Sequence, residues 1–145
     1  MEKFDNILDQ QLCFEVYKAA SNFQRLYTEI LKPYALTFPQ YLVLLALYEK
    51  QPILAKDISA RLGIGIGTLN PILTRMINND WIEKKQSDTD KRSYHLFLTG
   101  KAKSSKTSIK KAIEDKITSC DLIDQDTILL MNQMKQLNDK LQHTL

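Results

Sequence analysis

Apolar residues recur at helical spacing over residues 8–32, at Leu8, Leu12, Val16, Phe23, Leu26 and Ile30. They predict a long N-terminal helix that Pro33 ends. A second stripe, Cys13, Tyr17, Ala20 and Tyr27, makes its apolar face wider than one partner helix needs. Thr37 and Gln40 have capping-box spacing, and Pro39 is tolerated in the first turn of the helix they start. Residues 41–48 of that helix are apolar on nearly all sides, which makes it central, and Gln51-Pro52 breaks it. Residues 53–62 predict a short amphipathic helix with Leu54, Ile58 and Leu62 inward and Lys56, Asp57 and Arg61 outward. Gly63-Ile64-Gly65-Ile66-Gly67 then reads as a glycine-rich turn.

Residues 68–79 predict a further helix that buries Leu69, Ile72, Leu73 and Met76. Thr68, Asn70, Thr74 and Arg75 remain on its polar side, and Pro71 falls in its first turns. Two strands, 81–85 and 93–98, enclose the polar stretch 86–92 as a hairpin with a charged tip. Helix, tight glycine turn, polar-faced helix and hairpin form the order of a winged helix-turn-helix. Beyond Thr99-Gly100 runs a lysine-rich helix with Ile109, Ile113 and Ile117 as its few apolar positions. Cys120-Asp121 marks a break, and Asp124 or Asp121 caps a last helix. Its stripe, which includes Ile128, Leu129, Met131 and Leu137, is too apolar for a solvated tail.

Composition adds little to this picture. The 145 residues carry a net charge of +3, a mild lean toward anionic partners that does not identify nucleic acid by itself. No apolar run reaches membrane-spanning length and residues 1–5 do not read as a signal peptide, so the expected place is the cytoplasm, with thiols reduced. The two cysteines are then expected to be free or redox-active rather than a structural staple. His95 and His143 have no Cys/His cluster beside them, and no phosphate-binding glycine loop or nucleophilic triad is present. The chain is therefore read as a non-enzyme without metal or cofactor.

Four stretches carry a family resemblance. They are Gln11-Leu12-Cys13-Phe14 with Tyr17; Leu36-Thr37-Phe38-Pro39-Gln40-Tyr41; Gly67-Thr68-Leu69-Asn70-Pro71 with Leu73 and Arg75-Met76; and the wing from Ser87 to Arg92 ending in Leu98-Thr99. Together they span most of residues 10–100. The chain resembles the MarR family of winged-helix regulators, and within it the organic-hydroperoxide-resistance regulators and their staphylococcal-type redox relatives.

The resemblance implies a mainly α (α+β) fold of about six helices with a two- or three-stranded β-wing. It implies a single domain, 1–145, with dimerisation helices at about 1–35 and 101–145. Residues 36–100 form the winged helix-turn-helix, the helix-turn-helix itself at about 54–78 and the wing at about 81–98. It further implies a homodimeric repressor on a palindromic double-stranded DNA operator, released when an oxidant such as an organic hydroperoxide modifies Cys13. Two-cysteine members carry a late resolving cysteine, which makes an intersubunit Cys13–Cys120 disulfide the expected oxidised form. The alternative within the family is release by a small aromatic ligand, with Cys13 structural.

Periodicity alone favours Cys13 as a small buried hydrophobe; the motif around it reverses that preference. Cys120 reads equally as a resolving thiol or as an incidental loop residue. Family members hold the sensing thiol with two tyrosine hydroxyls from the other subunit. One matches Tyr27, which lies roughly 21 Å from Cys13 along a straight helix and reaches it only across an antiparallel dimer. The other falls on Phe38, which has no hydroxyl. A second departure is Gly65-Ile66-Gly67, where relatives carry Asp-Ser-Gly.

For DNA, Thr68, Asn70, Pro71, Thr74 and Arg75 are assigned to the recognition helix, since Asn and Arg read adenine and guanine edges. Lys84, Lys85, Lys91 and Arg92 in the wing are assigned to phosphate or minor-groove contacts. Asp90, two residues before Arg92, is expected to orient that guanidinium.

Overall fold

Gln11 is extended and the first α-helix begins only at Leu12, after a single 3-10 turn at Leu8–Gln10. The computed structural model describes residues 7–145, so residues 1–5 with the signal-peptide reading lie outside the described residues. Helix α1 covers Leu12–Leu31, α2 Phe38–Glu49, α3 Ala55–Leu62, α4 Ile66–Asn78, α5 Gly100–Ser119 and α6 Gln125–Thr144. Strands are β1 (Ile53–Leu54), β2 (Ile82–Gln86) and β3 (Tyr94–Leu98). The chain divides into two compact units, Met1–Thr107 and Ser108–Leu145.

In the first unit Pro33 stops α1 through a 3-10 turn, Lys32–Tyr34, and the chain turns by 73° into α2. The capping box is formed: the Thr37 amide donates to Gln40 Oε1 at 3.1 Å, and the Gln40 amide donates to Thr37 Oγ1 at 3.3 Å. As its all-round apolar sequence demands, α2 is the central helix, burying Val43, Leu44, Ala46 and Leu47. Leu31, Leu36, Ile58, Leu69, Met76, Trp81 and Leu96 complete the core.

Several boundaries differ from the sequence reading, and two of these differences bear on the site. Residues 53–54 leave the predicted helix and pair antiparallel with β3, Ile53 opposite Leu96 and Leu54 opposite His95. The sheet is thus three-stranded in the order β1-β3-β2. The helix following starts at Ala55 and ends on Gly63, whose φ of +69° is the left-handed conformation that favours glycine. The recognition helix starts two residues early, at Ile66, with Gly65 extended as its N-cap. Gly67 is therefore helical, and Pro71 is the sixth residue of α4, in its second turn. Its ring nitrogen cannot donate to the Gly67 carbonyl.

Thr99 ties three segments together. Its hydroxyl lies 2.7 Å from the Asp80 carbonyl and 3.1 Å from that of Trp81, and it accepts from the Ala102 amide at 3.2 Å, capping α5. Tyr48 donates to the Ala102 carbonyl at 2.6 Å. Gln51 accepts the Leu98 amide at 2.8 Å, closing the end of β3.

In the second unit Ile109 and Ile113 are buried. Cys120 and Asp121 form a turn, with Asp121 at φ 58°. Asp124, not Asp121, caps α6 by accepting from the Thr127 amide at 2.8 Å. Ile128, Leu129, Leu130, Met131 and Leu141 of α6 are all exposed.

Candidate nucleic-acid interface

Successive residues of α4 are rotated by about 100°. With Leu69, Leu73 and Met76 turned to the core, Gly67, Pro71, Thr74 and Asn78 fall at the middle of the outward face. Ile66 and Asn70 lie along one edge and Thr68 and Arg75 along the other. Thr68, Asn70, Pro71, Thr74 and Arg75 are all exposed. The Thr74 hydroxyl donates to the Asn70 carbonyl at 3.0 Å, so it offers its remaining lone pairs to a ligand.

The Ile66–Asn70 edge faces the wing. A groove of about 260 Å³ is lined there by Leu54, Ala55, Lys56, Ile66, Asn70, Arg92, Ser93 and Tyr94. It brings together Asn70 and Arg92, both assigned to DNA from sequence. Lys56, Ile66 and Tyr94 were not so assigned, because the groove is assembled from three separate segments. Arg75 is elsewhere. It lines a second groove of about 320 Å³ with Gln24, Thr28, Thr37, Phe38, Pro39, Gln40 and Ile72.

The wing tip is held by its own bonds. Gln86 donates from its side chain to the Lys91 carbonyl at 2.6 Å, and the Ser87 amide donates to the Ser93 carbonyl at 2.9 Å. Asp90 accepts the Arg92 backbone amide at 2.9 Å and the Ser93 hydroxyl at 3.2 Å. This corrects the expected role of Asp90: its carboxylate fixes the backbone as an Asx turn, and among the described residues it has no ion pair with the Arg92 guanidinium. Lys85, Lys91 and Arg92 are exposed. The Lys84 ammonium sits 4.8 Å above the Tyr94 ring.

Cys13 is the second residue of α1, in its first turn, because the helix starts at Leu12 and not at Leu8 as its periodicity predicts. Its thiol is exposed, as is that of Cys120, so the buried-hydrophobe reading fails within one chain. Around Cys13, Leu12 is 63% and Tyr17 72% exposed. Further along α1, Tyr27 packs against Phe38 with centroids 4.7 Å apart and stacks on Tyr41 at 5.6 Å. Burial pushes the Tyr27 hydroxyl above its ordinary range. Tyr41 is pushed up to about 12, by burial first and then by neighbouring Tyr27 and Tyr48. Both phenols therefore keep their protons further into the alkaline range than a free tyrosine does. Among the described residues no cluster of three or more His, Cys, Asp or Glu fit to hold a metal occurs, and no single helix is long and apolar enough to cross a membrane.

The MarR family model matches residues 36–94, from the lead-in to α2 to the first residue of β3. The HTH-type transcriptional regulator MgrA of Staphylococcus aureus is 34% identical over 128 residues, covering 88% of this chain and 86% of that protein. The chain belongs to the MarR family. It is a MarR-type DNA-binding transcriptional regulator, and the relatives it matches are regulators rather than enzymes. AbfR of Staphylococcus epidermidis superimposes with a TM-score of 0.76 at 28% identity, covering 94% of this chain and 92% of AbfR. Reduced AbfR bound to DNA gives a TM-score of 0.78 at 30% identity, covering 92% of this chain and 94% of AbfR. AbfR has also been solved overoxidized on DNA and in a disulfide-formed state.

Proposed function

We propose that this MarR-family chain is a homodimeric repressor that holds a palindromic operator when reduced and leaves it when an oxidant such as an organic hydroperoxide modifies Cys13. Residues 1–35 and 101–145 form the dimer, and residues 36–100 carry the reading head. Bases are assigned to Thr68, Asn70, Pro71, Thr74 and Arg75, and phosphates to Lys84, Lys85, Lys91 and Arg92, with Asp90 shaping the tip.

The observation that carries the redox part is the exposed Cys13 thiol within an uncovered apolar face of α1. A second copy packed antiparallel covers that face and brings Cys13 to the partner subunit's Tyr27. The reduced, DNA-bound and the disulfide-formed states of AbfR support the same chemistry. The thiolate attacks a peroxide oxygen, the O–O bond breaks, and the alcohol leaves with a proton. Cys13 is then a sulfenic acid, and the Cys120 thiol of the other subunit attacks its sulfur, expels water and forms a disulfide. Repacking at the interface shifts the two recognition helices away from the spacing of one DNA turn that two half-sites need.

DNA-binding titrations of reduced and hydroperoxide-treated protein, wild type beside Cys13→Ser, test this reading. Loss of binding on oxidation in the wild type alone is the expected result. A wild type that stays bound would overturn redox control. Non-reducing electrophoresis should show a crosslinked dimer; a monomer with oxidised Cys13 would remove Cys120 from the scheme.

The groove that holds Arg75 favours a second reading, release by a small aromatic ligand against Phe38 and Ile72. Cys13→Ser separates the two, because it abolishes peroxide release and leaves ligand release intact.

A further inference from the structure

Ile66 is the first residue of the recognition helix, and it is 47% exposed. A lone exposed isoleucine is ordinary. This one sits in the groove between α4 and the wing, where Asn70 follows one turn later on the same edge and Tyr94 lies opposite at 38% exposure. Lys56 and Arg92 supply positive charge to the same groove. An apolar floor with cationic sides complements a base edge flanked by phosphates.

The flanking glycines point the same way. Gly65 has an ordinary extended backbone, φ −72°, and Gly67 is helical, so neither conformation demands glycine. A Cβ built on either meets nothing within 4 Å. Their effect is to leave Ile66 as the only side chain of a three-residue stretch, with open space on both sides for a duplex to approach. N-terminal residues of a recognition helix are the ones that meet base edges, and the one apolar mark on a major-groove edge is the thymine 5-methyl group.

We infer that Ile66 is a specificity-determining residue that packs on a thymine methyl, beside the base read by Asn70. The inference rests on α4 being the base-reading helix. Ile66 and Asn70 are one helical turn apart, about 6 Å, which matches neighbouring or next-neighbouring base pairs. The preferred half-site therefore carries a thymine within two base pairs of the base that Asn70 reads.

The test starts from duplexes selected by the reduced full-length protein from a random library. Each thymine of the selected duplex is replaced by deoxyuridine, in both half-sites together, which removes only the methyl group. Wild-type affinity should fall about fourfold per half-site at one thymine and at no other, the effect of uncovering one methyl. Ile66→Ala should bind the thymine and uracil duplexes alike, with a melting temperature near wild type because the side chain is at an exposed helix start. Asn70→Ala should lose discrimination at a base within two pairs of that thymine. A wild type indifferent to every thymine-to-uracil change overturns the role of Ile66, whatever the variants do. So does an Ile66→Ala protein that still prefers thymine there. Selection that yields no sequence at all overturns α4 as a base reader, and Ile66 with it.

Discussion

The rings of Tyr27 and Phe38 lie 4.7 Å apart, centroid to centroid, where α1 approaches the start of α2. In the proposed dimer this pair faces the Cys13 thiol of the other subunit, and only Tyr27 has a hydroxyl to give. Phe38→Tyr adds a second donor, which holds more of the sulfur ionised. The expected result is faster alkylation of Cys13 at neutral pH, by about two- to fivefold, the range of one modest hydrogen bond offset by a less nucleophilic thiolate. Equal rates for the two proteins would show that position 38 does not touch the thiol.

Arg92 and Asp90 separate charge from shape in the wing. Arg92→Ala should weaken binding to all sequences similarly and lower the slope of log K against log salt by about 1. Asp90→Ala should weaken binding too, although it removes a negative charge, because the Arg92 amide loses its acceptor at 2.9 Å. Asp90→Asn keeps an acceptor oxygen there and should bind at least as tightly as wild type. If Asp90→Ala binds better than wild type, the carboxylate acts only as a repulsive charge.

The capping box at Thr37 makes a stability prediction. Thr37→Ala removes the hydroxyl that accepts the Gln40 amide and should cost about 1 kcal/mol. For a chain of this size that is a fall of about 3 °C in melting temperature at fixed protein concentration. Thr37→Ser should recover most of it. A Thr37→Ala protein that melts with the wild type would mean that packing alone starts α2.

Tyr41 predicts an alkaline limit. Its ordinary value of 10.0 is raised to about 12 in the fold, chiefly by burial. The folded state therefore keeps a proton that the unfolded chain releases. The stability linked to that proton is complete below pH 10 and is lost as pH rises from about 10 through 12. Tyr27 and Tyr48 shift in the same direction and add to the trend. Urea titrations across this range should show the midpoint falling with pH, less steeply in Tyr41→Phe. Parallel slopes for the two proteins would assign the loss to other groups.

What could be read from sequence is what local chemistry determines. Thr37 and Gln40 announce their capping box because both bonds lie within four residues. The all-apolar run of α2 announces its central place because nothing else can cover it. Ile53 and Leu54 read as helix in the sequence because their strand is two residues long and exists only through pairing with Leu96 and His95, over forty positions away. The start of α4 is hidden in the sequence because Gly65, Ile66 and Gly67 offer no capping side chain. Spacing pairs Asp90 with the charge of Arg92, yet its bonds go to a backbone amide and a hydroxyl. Lys56, Ile66 and Tyr94 were not assigned to DNA, nor Tyr41 to the Tyr27 ring cluster, because such sites are made by tertiary juxtaposition, which spacing does not encode.

The three bonds of Thr99 have a mechanical meaning. One hydroxyl joins the turn that ends α4, the root of β2 and the first turn of α5. A shift of the α5 start is therefore felt at the turn after α4 and at the root of β2 together, through contacts of 2.7 to 3.2 Å to a single oxygen.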